Sequence, residues 1–222
     1  MQKYFFLLSI SLAILFAGCD LVDLIEEAED SEITAKLKIG EVLNTARSNF
    51  SNDAELSAIY GSNVSVQGQV DLLKPTQGAF VYVVQSDSLQ SNEFYIPVFN
   101  STPIKSPVNF VSMLSFVKNQ TAKNILTGVF DQLSTIHIDA SVNYSDSPAV
   151  IELMFQRTDV VNFRSANPVS KIDMFLIPGK SIDSLSVTNT ADWIVNFNSD
   201  TTSLVLWLHP GTTNGTITKI SD

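Results

Sequence analysis

Hydrophobic positions change their period several times along this chain. Ile39, Val42, Leu43, Ala46 and Phe50 recur at helical spacing behind Asp30 and Ser31, either of which can cap a helix over residues 31–50. Ile33, Ala35, Leu37 and Ile39 also alternate as a strand would, so the first half of that segment reads both ways. A shorter helical piece is expected at residues 53–60, with Gly61 as its C-terminal cap. The period then falls to 2. Val64, Val66, Val70 and Leu72 alternate with Ser65, Gln67, Gln69 and Asp71, the pattern of a half-buried strand. Lys74-Pro75-Thr76-Gln77-Gly78 is turn chemistry, and strands follow over residues 79–84 and 94–99. Pro97 marks the latter as an edge strand or a bulge.

Pro103 and Pro107 interrupt this pattern, and Ser106-Pro107 suits the start of a helix. Residues 108–117 are apolar on most faces, while Ala122, Ile125, Leu126, Val129, Phe130 and Leu133 form an amphipathic stripe. Residues 107–133 are therefore expected as one bent helix or two consecutive ones. Beyond them the pattern predicts mostly β-structure. Ile136, Ile138, Ala140 and Val142 alternate with polar residues, and further strands are expected at 150–155, 172–177, 193–197, 204–208 and 217–220. The economical fold is a single α+β domain over residues 33–222. It has an antiparallel sheet of about eight strands, with the N-terminal and central helices on one side.

Three strands are apolar at every position: Phe80-Val81-Tyr82-Val83-Val84, Met174-Phe175-Leu176-Ile177 and Leu204-Val205-Leu206-Trp207-Leu208. An antiparallel sheet with one wet face would alternate, so both faces of these strands must be covered. Ordinary packing on both sides satisfies the pattern, and so does an apolar ligand cavity.

Aliphatic and aromatic residues make up 45% of the chain, enough for a core. The 13 bases against 23 acids argue against a nucleic-acid partner, which needs clustered Lys and Arg. The single cysteine excludes an internal disulfide and a Cys-based zinc site. That cysteine, Cys19, ends a segment with Lys3 near its start, an apolar run over residues 5–16 and the small residues Ala17 and Gly18. The run is too short to span a bilayer, which takes about 20 apolar residues, and it fits a secretory signal. Residues 1–18 followed by Cys19 resemble a bacterial lipoprotein signal. Phe16 departs from the Leu usual three positions before the cysteine. The resemblance implies that Cys19 is diacylated on sulfur and becomes the first residue of the mature chain, hence anchoring to a membrane of the bacterial cell envelope, on its periplasmic face or at the cell surface.

Residues 20–32 carry seven acids and no base, whereas residues 33–222 hold 12 bases and 16 acids. Most of the charge thus belongs to residues 19–32, an acidic tether whose like charges repel and extend it. The folded domain is only mildly acidic.

Catalytic patterns are scarce. His137 and Asp139 share a face on the expected strand and could hold a metal or act as a base and its orienter. Ser141 and Asn143 continue that row, as the solvent face of an amphipathic strand would. His209, before Pro210-Gly211, reads as the exit of a strand into a turn. No serine-nucleophile, phosphate-cradling or dinucleotide motif is present. The acidic loops Ser145-Asp146-Ser147 and Asn198-Ser199-Asp200 lack EF-hand spacing. The expectation is therefore a non-enzymatic protein without catalytic, cofactor or metal residues. It would carry an apolar small molecule or lipid, in an architecture similar to LolA-like and LppX-like lipoproteins, with residues 108–117 as a lid. The alternative is a solid-cored protein that binds an envelope protein partner.

Overall fold

The computed structural model describes residues 31–106, 114–115, 117–180 and 187–221. The signal segment, Cys19, nearly all of the acidic tether and most of the apolar stretch at 108–117 lie outside them. The chain divides at Asp30/Ser31 into two units, and all that follows concerns the second.

Ten strands and four helices are described. The strands are β1 (Glu32–Ile33), β2 (Glu55–Ser62), β3 (Val70–Asp71), β4 (Ala79–Ser86), β5 (Ser91–Val98), β6 (Ser101–Lys105), β7 (Lys171–Lys180), β8 (Val187–Asn198), β9 (Ser203–His209) and β10 (Thr216–Ile220). The helices are α1 (Ile39–Asn49), α2 (Gln120–Phe130), α3 (Ser147–Phe155) and α4 (Thr158–Ala166). Eight strands form one open antiparallel sheet in the order β10-β9-β8-β7-β2-β4-β5-β6, and β1 pairs with β3 alone. The expected α+β class and eight-stranded sheet are present.

Both faces of the central strands are buried, and alternate side chains enter separate cores. On the front face Leu56, Ile59, Phe80, Tyr82, Met174, Leu176, Trp193 and Leu206 pack with Val42 and Ala46 of α1, Val150 and Met154 of α3 and Val160 of α4. On the back face Ala58, Tyr60, Val81, Val83, Phe175, Ile194 and Val205 pack with Ala122, Leu126 and Val129 of α2. The expectation of helices on one side is therefore corrected: α1, α3 and α4 cover one face and α2 the other. Strands apolar at every position leave each face needing a cover of its own.

The other departures have local causes. Of the helix expected at 53–60, residues 55–60 belong to strand β2 instead, because a central strand buried on both faces loses the alternation that separates the two periods. Gly61 is not a cap but a strand residue at which a Cβ would come within 2.6 Å of the Phe80 ring. The expected strand over 64–72 shrinks to β3, because the Ser65 hydroxyl accepts the amides of Gln67 and Gln69 and turns the chain. Gly68 sits at φ +78°, and a side chain there would meet the backbone of Ser147 and Pro148. Residues 150–155 are helix α3: Asp146 caps it, accepting the Ser147 amide at 2.7 Å, and Pro148 stands in its first turn. Helix α4 has too weak a polar–apolar contrast to be expected from sequence, burying only Val160. The helix expected at 107–133 is described over Gln120–Phe130. There the Asn119 side chain accepts the Ala122 amide at 2.7 Å. At Pro97 the register between β5 and β6 shifts, as a bulge requires.

Residues 136–142 form no strand. They carry the chain around the end of β2 from one face to the other, since Ile136 packs in the back core and Ile138 in the front. Two hydrogen bonds hold this crossing: Ser57 Oγ donates to Ile136 O at 2.5 Å, and Ile138 N donates to Leu56 O at 2.7 Å.

Candidate functional site

A cleft with an apolar floor opens on the back face and has a volume of about 640 Å3. Its floor is Tyr60 of β2, Val81 of β4 and Ile96 of β5, and the turn Pro75–Gly78 forms one wall. The opposite side is polar, built from Asp173 and Lys171 of β7 and Asn198 of β8. The ladders set this division. Tyr60 and Val81 are register partners, as are Lys171 and Asn198.

Asp173 is 5% exposed and lies one residue from the apolar core positions Ile172 and Met174. It accepts the Asn63 amide at 3.0 Å and the Asn198 side-chain amide at 2.6 Å. Burial pushes its carboxyl above the usual range, partly offset by those two hydrogen bonds and by the nearby Lys171 charge. Its register partner Asn196 is fully buried, and neither end of its amide has a hydrogen-bond partner among the described residues. Burial, with the Asp173 charge second, raises the Tyr60 hydroxyl far above its usual value. The Tyr60 ring stacks on Phe175 at 4.8 Å. The site therefore offers flat apolar surface beside a buried acid that holds its proton more tightly than an exposed carboxyl does.

His209 ends β9, and its ring Nδ1 lies 2.7 Å from Asp192 Oδ2. Asp192 is fully buried and also accepts Trp207 Nε1–H at 2.9 Å and the Lys180 amide at 3.1 Å. This arrangement resembles the base-and-orienter half of a triad. The carboxylate partner of His209 is spent on structural donors. The pair ties β7, β8 and β9 together at the sheet end.

His137 and Asp139 make no hydrogen bond to each other. Asp139 turns to accept the Ser141 amide at 2.7 Å, whereas His137 bonds Glu55 and Gln85. The acidic loops are also accounted for. Asp146 caps α3 and accepts the Lys36 amide, while Lys118 Nζ donates to the carbonyls of Ser199 and Asp200. Cys19 and the expected lid lie outside the described residues.

Sequence reasoning missed Tyr60, Asp173 and Asn198. The available signal was Asp173 itself, a lone carboxylate between Ile172 and Met174 in a strand buried on both faces. No known protein family matches this chain, and no curated protein or solved structure matches it either.

Proposed function

We propose that this protein is a lipid-anchored binding protein of the bacterial envelope, and that the back-face cleft holds an apolar small molecule or lipid with a polar head. One observation carries the reading: a cleft of about 640 Å3 with an apolar floor and a single polar end built on a buried acid. Ligand sites commonly have volumes of about 300–1,000 Å3 and place a few polar groups against an apolar lining. The aliphatic or aromatic part of a ligand would lie along Tyr60, Val81 and Ile96. A head bearing a hydrogen-bond donor or acceptor would meet Asp173 and Asn198. In this reading α2 and the cleft occupy the concave side of a LolA/LppX-like half-barrel, and the protein works by binding rather than by chemistry.

Anchoring rests on the Cys19 signal. No helix among the described residues is long and apolar enough to cross a membrane. Two or more acyl chains on Cys19 would hold the protein firmly, since each buried CH2 contributes about 0.8 kcal/mol. Cys19→Ala should abolish acylation and leave the precursor uncleaved or the product released; normal acylation and membrane retention of that variant would overturn the assignment.

Binding is tested by native mass spectrometry on residues 20–222, which contain the whole second unit, purified without detergent and followed by solvent extraction. A bound lipid or other apolar molecule, displaced by Val81→Trp, supports the reading. A bare chain that takes up neither fatty acids nor phospholipids refutes it. That result favours the solid-cored alternative, which finds its own support in the two filled cores.

A further inference from the structure

At the other end of β2, away from the cleft, three side chains of metal-binding chemistry converge. Glu55 begins β2, Asp87 begins the β4–β5 turn and His137 lies on the crossing segment. One ligand atom from each falls within 4.8 Å of the other two. His137 Nε2 is 3.1 Å from Glu55 Oε2. We propose that Glu55, Asp87 and His137 bind a divalent transition-metal ion, with Zn2+ the best match.

The fold holds these groups in place from both sides. His137 lies between the two anchors of the crossing, Ile136 O on Ser57 and Ile138 N on Leu56. Asp87 is flanked in the same way: the Asp53 carboxylate accepts Ser86 Oγ–H at 2.7 Å and the Ser88 amide at 2.9 Å. Glu55 is fixed by its ladder position opposite Gln85. Pinned neighbours suit a metal site, because little backbone order remains to be lost on binding.

Gln85 supplies an independent indication. It is fully buried, its Nε2 lies 3.2 Å from His137 Nδ1, and its Oε1 has no hydrogen-bond partner among the described residues. As arranged, Nδ1 accepts from Gln85 and Nε2–H donates to Glu55. A metal at Nε2 takes the lone pair of that nitrogen and leaves the ring proton on Nδ1. A half-turn of the Gln85 amide then brings the orphaned Oε1 to accept Nδ1–H. Metal-bound histidines generally donate their second ring N–H to such an acceptor.

The donor set selects the ion. One imidazole and two carboxylates suit Zn2+, with water filling the fourth position, and the two acids neutralise its charge. Calcium and magnesium prefer oxygen-only shells. Tetrahedral ligands at about 2.0–2.1 Å stand roughly 3.4 Å apart, so from separations within 4.8 Å the ligand atoms must close by at most about 1.4 Å. Glu55 and Ser62 are seven residues apart on one strand, about 23 Å at ~3.3 Å per residue, so this site and the cleft stand or fall separately.

The test uses the full chain, extracted in non-ionic detergent and stripped with EDTA. Zinc is titrated at neutral pH by calorimetry, and Co2+ reports the ligand shell through its visible absorption. One equivalent of zinc should bind, with His137→Asn and Asp87→Asn each weakening it at least ten-fold. Asp87 is exposed in a turn, so its variant should fold normally. Gln85→Ala should weaken binding by about 10–100-fold, the range for groups that orient a ligand. Absence of zinc uptake at millimolar concentration overturns the site. So does one-equivalent binding that neither His137→Asn nor Asp87→Asn changes, which would place the ion elsewhere, for instance on the acidic tether.

Discussion

Phe175 and Met174 are neighbours on β7 that point into opposite cores, and truncating each one measures its own face. Phe175 is 1% exposed, stacks on Tyr60 at 4.8 Å and lies 6.3 Å from the Phe130 ring of α2. Removing a fully buried phenylalanine costs about 3–5 kcal/mol, and a stacked pair adds about 0.5–1.5 kcal/mol beyond its buried area, so Phe175→Ala should lose about 3.5–6.5 kcal/mol. Met174, fully buried in the front core, should lose about 2–5 kcal/mol on truncation to Ala. The two side chains share no core cluster, so any non-additivity in the double variant reports coupling through their common backbone. Urea unfolding of residues 20–222 reads all three values. If Phe175→Ala costs less than about 1 kcal/mol while Met174→Ala behaves as expected, α2 does not cover the back face and the two-core structure is wrong.

Three further outcomes follow from buried or hydrogen-bonded carboxylates. Asp173 has a raised folded pKa, so the stability it contributes is greatest below the unfolded carboxylate range and is lost as pH rises through the folded value. Asp173→Asn should therefore gain stability relative to the wild type between about pH 4 and pH 7, as read by urea unfolding; a flat difference would show that the acid is solvated. Asp53 has the opposite sign, because hydrogen bonds from Ser51, Ser86 and Ser88 hold its carboxyl well below the usual range. Its contribution is present above about pH 4, so thermal unfolding of Asp53→Asn and the wild type should converge as the pH falls through the lowered folded value. Asp192→Ala strands the N–H groups of Trp207 and Lys180 in the interior and should cost about 2–6 kcal/mol by urea unfolding, at about 1–3 kcal/mol each.

The amino-acid sequence by itself determined the class, the sheet and the need to bury both of its faces. It also placed a short apolar run ahead of Cys19 and most of the negative charge just behind that cysteine. Strands β4, β5, β7, β8, β9 and β10 were legible because side-chain periodicity and turn residues are local properties. β2 was not legible, since Leu56, Ile59 and Tyr60 fall at helical spacing and the short residues Ser57 and Ala58 interrupt the bulky apolar run that marks β4, β7 and β9. Helix α3 could have been found from Asp146-Ser147-Pro148, a cap-and-proline start that its apolar run concealed. Neither site was legible as a set, although Asp173 and His137 each carried a signal of its own. Tyr60 and Asp173 are 113 positions apart, and Glu55 and His137 are 82 apart. They meet only because β2 lies between β4 and β7 and because the chain crosses the end of β2 at residues 136–138. Periodicity decides which side of an element is buried, but which elements become neighbours depends on long-range pairing and on how two cores fill. Only the tertiary structure holds that information.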